Sequence, residues 1–241
     1  MTSSVGAGIG KIVRSESHVR YTCQIYGPGE VAMPPEPVEY AFGSFVGIPL
    51  RASGQGAADA LAPGADLVPV PDRDGLPGAG QSWSIGLIYD TILVNPSFGT
   101  LGPRLSSDDQ VALFSPDYIS ERAVLVSILL LGTVVRGSKG ATQVRHGVPA
   151  VAPDLGTEVI SLPDGAVRAF HFFADVAGPG DSRPYLHMGY LPHAIAQNHP
   201  LLPTAMLQTI ERLERLLPEN ASLLAIVKRN FAWRLKVEAT G

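Results

Sequence analysis

The sequence predicts a mainly β protein of the α+β class: a small closed or partly closed antiparallel β-barrel with a long Gly/Pro-rich insertion, followed by a small helical region packed on it. Three observations predict this. Apolar residues alternate or run in short stretches over roughly the first 160 positions, the pattern of strands rather than helices. The 26 glycines and 21 prolines of the chain fall mainly between those stretches, where they act as turn punctuation. After Pro163 the apolar spacing changes to threes and fours, the helical period. The expected division is a β domain over residues 1–162, with its insertion at 52–80, and a helical C-terminal region over 163–241.

Ile9 to Arg14 is the opening strand. His18 to Tyr26 is the second, with Val19, Tyr21, Cys23 and Ile25 on one face and Arg20, Thr22, Gln24 and Tyr26 on the other. Gly27, Pro28 and Gly29 end it, and the MPPEP run at 33–37 cannot continue a central ladder because proline lacks the backbone donor. A third strand is expected at Gly43 to Leu50 and a fourth at Trp83 to Leu93. Between them, Ala52 to Gly80 opposes any regular element; a loop of this length covers a face or reaches toward a partner. Asn95 to Tyr118 reads as turn-rich linking chain. The run from Ala123 to Val135 fits a buried strand or a buried helix, and its β-branched residues favour the strand, with Gly132 suited to a bend or bulge. VPAVAPDLGTEVISL, up to Leu162, continues as sheet and loop.

Two amphipathic helices close the chain. Thr204 is placed to cap one with a stripe of Met206, Ile210, Leu213 and Leu217, stopped by Pro218. Asn220 is placed to cap the other, with a stripe of Leu224, Val227, Phe231 and Leu235. Each is too short to persist unpacked, so both are expected to dock on each other and on the sheet.

Composition limits function. The 22 acidic and 18 basic side chains leave a formal charge of -4, against coating nucleic acid by bulk electrostatics. The deficit lies mainly in the first hundred residues, while 201–241 carries six basic and four acidic groups. Arg212, Arg215, Lys228, Arg229, Arg234 and Lys236 could meet nucleic acid or an acidic partner, but two helices with solvated faces need no ligand to explain them. Cys23, the single cysteine, cannot form an internal disulfide and reads as a buried, inert thiol. The first residues lack a basic leader with an apolar core, and the longest apolar stretch has 13 residues, so a cytoplasmic protein without membrane association is expected.

Motifs for chemistry are sparse. GAGIGK at 6–11 has three residues between Gly6 and Gly10 where a phosphate loop needs four, and Ile12 follows Lys11 where Ser or Thr belongs. No cofactor is expected. Histidine supplies the candidate metal site: His171 and Asp175, four apart, would share a helix face, and His187, with His193 and His199 at further intervals of six, follows in a proline-interrupted stretch. Neutral imidazoles with a carboxylate can hold a divalent metal and acidify its bound water. Asp72 with Asp74 and Asp108 with Asp109 are carboxylate pairs in turn-rich chain, where capping is their ordinary role. Trp83 to Tyr89, with Phe170, Phe172 and Phe173, can line a pocket or stack bases, but the interleaved cations of a stacking platform are few.

The segments IGKIVRSESHVRYTCQIY (9–26), FGSFVGIPL (42–50), SIGLIYD (84–90) and RHGVPAVAPDLGTEVISL (145–162) occur in an order that resembles the N-terminal β-barrel of HerA-type hexameric ATPases, also seen in F-type ATP synthase catalytic subunits. The resemblance covers 8–50, 82–92 and 122–162. In those ATPases the barrel is an assembly collar and docking surface, and a separate motor carries the phosphate loop. No such loop follows here. The resemblance therefore implies a non-catalytic assembly or adaptor protein that contacts protein partners or itself, for instance a HerA-like ATPase or DNA translocase. The alternatives are a metal-dependent hydrolase or nuclease using His171, Asp175 and His187, and a nucleic-acid binder using the C-terminal cations.

Overall fold

Strands need partners for their backbone amides, and in this chain the partners close into a ring. The computed structural model describes residues 7–51, 81–94, 123–136, 142–174 and 184–238. Strands β1 (Gly8–Ser15), β2 (Arg20–Ile25), β3 (Phe45–Leu50), β4 (Ser82–Val94), β5 (Ala123–Arg136) and β7 (Glu158–Ser161) form a closed six-stranded antiparallel barrel in the cyclic order β1-β2-β5-β4-β3-β7. β6 (Thr142–His146) pairs with the end of β5, from Gly132 to Arg136, beyond the stretch that β2 occupies. Closure leaves no barrel strand without two neighbours, which satisfies the backbone and removes the hazard of an open edge.

The curvature comes from four single-residue bulges. They place Ile9 and Val13 on β1, Tyr89 on β4 and Leu131 on β5 as the extra residue in their ladders. Bulges bend a strand and raise its twist, as tight closure requires. The expected bend at Gly132 is thus next door, at Leu131. Gly132 itself serves another purpose: a Cβ there would run into the Arg145 backbone carbonyl of β6. The extended MPPEP segment leads into a 3-10 turn at Pro37–Tyr40 and stays off the ladder, as its prolines dictate.

β4 is buried on both faces from Ser82 to Ile88, and β5 from Val126 to Val135. One face fills the barrel; the other is covered by helices. This explains why the β5 run reads as continuous apolar sequence instead of alternating. The covering layer consists of α1 (Asp164–His171), α2 (Leu191–Ala196), α3 (Leu202–Leu216) and α4 (Ala221–Glu238), with a small hairpin of β8 (Phe172–Ala174) and β9 (Pro184–Leu186) between α1 and α2. α3 packs on α1, α2, α4 and β4, and α2 packs on β5. One continuous core runs from Ile12 and Leu87 in the barrel to Phe170, Ile210 and Leu224 in the helices.

Several expectations are corrected. α3 starts at Leu202, with Pro203 in its first turn, so Thr204 lies inside the helix and caps nothing. Its stripe of Met206, Ile210, Leu213 and Leu217 is buried as the spacing predicts. Asn220 does precede α4, but its side-chain oxygen is buried without a hydrogen-bond partner, so the expected cap bond is absent. The helix shared by His171 and Asp175 does not form: α1 ends at His171 and Phe172 turns the chain into β8. Asp175, Asp72, Asp74, Asp108, Asp109, the 52–80 insertion and the Asn95 to Tyr118 linking segment lie outside the described residues. Among the described residues no helix is long and apolar enough to cross a membrane.

Candidate functional site

The histidines gather at the seam between barrel and helices. His146 ends β6, His171 ends α1, and His187 follows β9. The His146 ring stacks on His187 with centroids 4.8 Å apart and lies 6.0 Å from His171, while Tyr190 meets His171 edge-on at 5.5 Å. Sequence reasoning selected His171 and His187 and missed His146 and Tyr190, which the β5–β6 register and the turn before α2 bring in.

Their hydrogen bonds fix the tautomers. His146 Nε2–H donates to the Phe170 carbonyl at 2.8 Å, and its Nδ1 accepts the Gly189 amide at 3.1 Å. His171 Nδ1–H donates to the Val167 carbonyl at 2.7 Å, and its Nε2 accepts the Tyr190 hydroxyl at 2.8 Å. A carbonyl can only accept and an amide can only donate, so His146 carries its proton on Nε2; the same logic puts that of His171 on Nδ1. Burial drives His171 down to about 4 and His146 well below the ordinary imidazole value, with the neighbouring histidine adding to the effect on His146. Both are neutral at pH 7, and the lone pairs that would bind a metal are already committed. Among the described residues no group of three or more His, Cys, Asp or Glu is arranged to hold a metal ion.

The remaining histidines are also fasteners. His193 on α2 donates from Nε2 to the Leu130 carbonyl of β5 at 3.1 Å, and burial lowers its affinity for a second proton. His199 packs edge-on to Tyr89 at 4.8 Å, and His18 bonds the Pro149 carbonyl at 2.7 Å. The aromatic candidates Trp83, Tyr89, Phe170 and Phe172 are buried core, not a stacking platform. The side chain of Phe173 lies outside the described ones. Gly8 and Gly10 of the glycine-rich opening belong to β1, and the Lys11 ammonium lies over the Tyr26 ring at 5.6 Å, so no loop-to-helix phosphate cradle forms there. Burial pushes the Cys23 thiol up to about 12, leaving it inert at neutral pH.

The C-terminal cations are partly spent. Arg212 pairs with Asp164 at 2.7 Å, and Lys228 reaches Glu211 at 3.0 Å and Glu214 at 3.3 Å on α3. Arg168 pairs with Glu219 and donates to the Leu216 carbonyl, pinning α1 to the end of α3. Arg215 and Arg229 are exposed, and the side chains of Arg234 and Lys236 lie outside the described ones.

α4 carries two apolar stripes, of which the sequence spacing predicts one. Leu224 and Phe231 are buried and Val227 half-buried, the face expected from the spacing. Leu223, Ile226 and Trp233 form a neighbouring stripe that faces outward, 46%, 48% and 67% exposed. A helix with one partnered and one bare apolar stripe is not accounted for by packing among the described residues. A second set of exposed apolar residues lies where Asp90–Val94 of β4 pairs with Ala123–Ser127 of β5, with Ile92 and Val94 on one face of the ribbon and Leu93 on the other.

No curated protein matches this chain. The family model described as "Domain of unknown function (DUF8166)" matches residues 2–57 and 78–240, breaking only inside the Gly/Pro-rich insertion, and the chain belongs to that family.

Proposed function

We propose that the protein is a non-catalytic assembly or adaptor protein whose work is to contact other proteins or further copies of itself. The observation that carries this reading is the concentration of exposed apolar side chains on two regular surfaces, the outward face of α4 and the β4–β5 ribbon. Scattered surface leucines mean little, whereas apolar residues aligned on a rigid element mark contact sites. The closed antiparallel barrel is consistent with a collar-like role, and a HerA-like ATPase or DNA translocase is the partner class that its resemblance suggests. Two histidines tie helices to strands, His146 of β6 to the Phe170 carbonyl of α1 and His193 of α2 to the Leu130 carbonyl of β5, and so hold the scaffold that presents both surfaces.

Native mass measurement of the full chain, with an untagged pull-down from its native source, tests the proposal. A defined oligomer or a stoichiometric partner is expected, lost on Leu93→Lys or Ile226→Lys. A strictly monomeric protein that recovers no partner would overturn it.

A further inference from the structure

The outward face of α4 has a finer pattern than exposure alone. Leu223, Ile226, Asn230 and Trp233 follow one another at spacings of three, four and three, which is the seam of a coiled coil. On a helical projection the four fall within roughly 80° of one another, narrower than the stripe of a helix seated on a globular core. All four are exposed. The packed stripe of Leu224, Val227 and Phe231 is centred roughly 110° away around the helix, so the seam flanks it and stays bare while the inner stripe is seated on the protein.

The chemistry around the seam selects the occupant. The described carboxylates nearest in the chain, Glu211, Glu214 and Glu219, are engaged with Lys228 and Arg168. Among the described side chains, the charge left beside the seam is the exposed Arg229, adjacent to Asn230 and without an ion pair there. A second copy of this chain would bring like charge against like, which disfavours self-pairing. The bare apolar area is on the order of a few hundred Å², at the scale of a functional surface patch and below the ~800 Å² per partner of a standard protein interface. It suits one short helix better than a domain. Asn230 at a core position of the seam adds a register requirement, because a buried Asn needs a polar residue opposite it.

We propose that the outer face of α4 binds a single amphipathic helix from another protein, with apolar residues in heptad spacing, one polar core residue opposite Asn230, and acidic flanks. This rests on the adaptor reading and names the kind of partner.

The test uses the full-length protein and two synthetic 21-residue peptides of helical heptads that differ only in their flanking positions, all Glu or all Lys. Trp233 is exposed while Trp83 is buried, so occupation of the seam reads as a blue shift of tryptophan emission. Expected results are saturable binding of the Glu peptide with a blue shift, at least tenfold weaker binding of the Lys peptide, and at least threefold weakening of the Glu peptide by Arg229→Glu. Ile226→Lys, checked for an unchanged melting temperature, should abolish the shift. No binding of the Glu peptide at 1 mM, or equal binding of both peptides, would overturn the proposal. So would seam-dependent dimerisation without peptide, or an equal shift on vesicles of phosphatidylcholine and phosphatidylserine. If the Glu peptide fails while a partner is still recovered from the native source, only this inference is lost; if no partner or oligomer is found either, the adaptor reading goes with it.

Discussion

His171 shows how a residue suited to catalysis becomes structural. It is fully buried, its two nitrogens are spent on Val167 and Tyr190, and its pKa falls to about 4. In the unfolded chain an ordinary imidazole titrates near 6.5. Between those values the unfolded state holds a proton that the native state refuses, so stability rises with pH across the window and is lost as pH falls from about 6.5 to about 4. His171 alone carries about 3 kcal/mol of this at one pH unit per 1.36 kcal/mol, and His146 and His193, also lowered by burial, act in the same direction. The urea midpoint should therefore fall between pH 7 and pH 4.5, and the fall should be smaller in His171→Leu when each protein is referred to its own pH 7 value. A midpoint that stays flat over that interval would contradict the neutral assignment. The sequence placed His171 on a helix, correctly, and then extended that helix to Asp175. What it could not carry was the helix end at Phe172, or the approach of Tyr190 from 19 residues away, because both depend on where β8, β9 and α2 settle.

Among the elements, β5 decides most of the architecture. It pairs with β2 over Leu125–Leu129, with β6 over Gly132–Arg136, and with β4 along its whole length. The change of partner from β2 to β6 occurs around the Leu131 bulge, and Gly132 admits the β6 backbone at a distance no side chain tolerates. Gly132→Ala should cost at least about 2 kcal/mol, at the upper part of the overpacking range, because the clash is with backbone and not with a side chain that can rotate away. Gly27→Ala is the control: its Cβ meets only the Glu30 carboxylate, at 3.6 Å, and its denaturation midpoint should barely move. Equal midpoints for the two variants would show that β6 can retreat. The strands β1 to β5 were legible because alternation, or a β-branched run, survives in their sequence. β6 was not, since TQVRH holds a single buried apolar residue, Val144, and is a strand only because β5 offers it an edge. For α4 the spacing discloses the inner stripe; the outer one repeats at the same helical period beside it, so periodicity alone does not distinguish the packed stripe from the bare one.

At the scale of the whole molecule, the helices complete the barrel. β4 and β5 bury one face in the barrel and the other under α2 and α3, so stripping the helices would bare Leu-, Ile- and Val-rich surface along both strands. The sequence division at 162 marks a change of secondary structure, while the hydrophobic core crosses it: Leu162 and Val167 belong to the same cluster as Phe45 and Ile210. A core shared in this way couples the unfolding of its two layers, because neither can lose its partner and keep its own apolar surface buried. In a Trp233→Phe background, fluorescence follows Trp83 in the barrel and far-ultraviolet circular dichroism at 222 nm follows the helices. Their urea transitions should coincide. Leu213→Ala, which removes a fully buried side chain of α3, should shift both curves together by about 2–5 kcal/mol. Helix loss that precedes the Trp83 transition, or a Leu213→Ala effect confined to the dichroism, would mean that the barrel stands without its cover and that the helical layer is a separate unit.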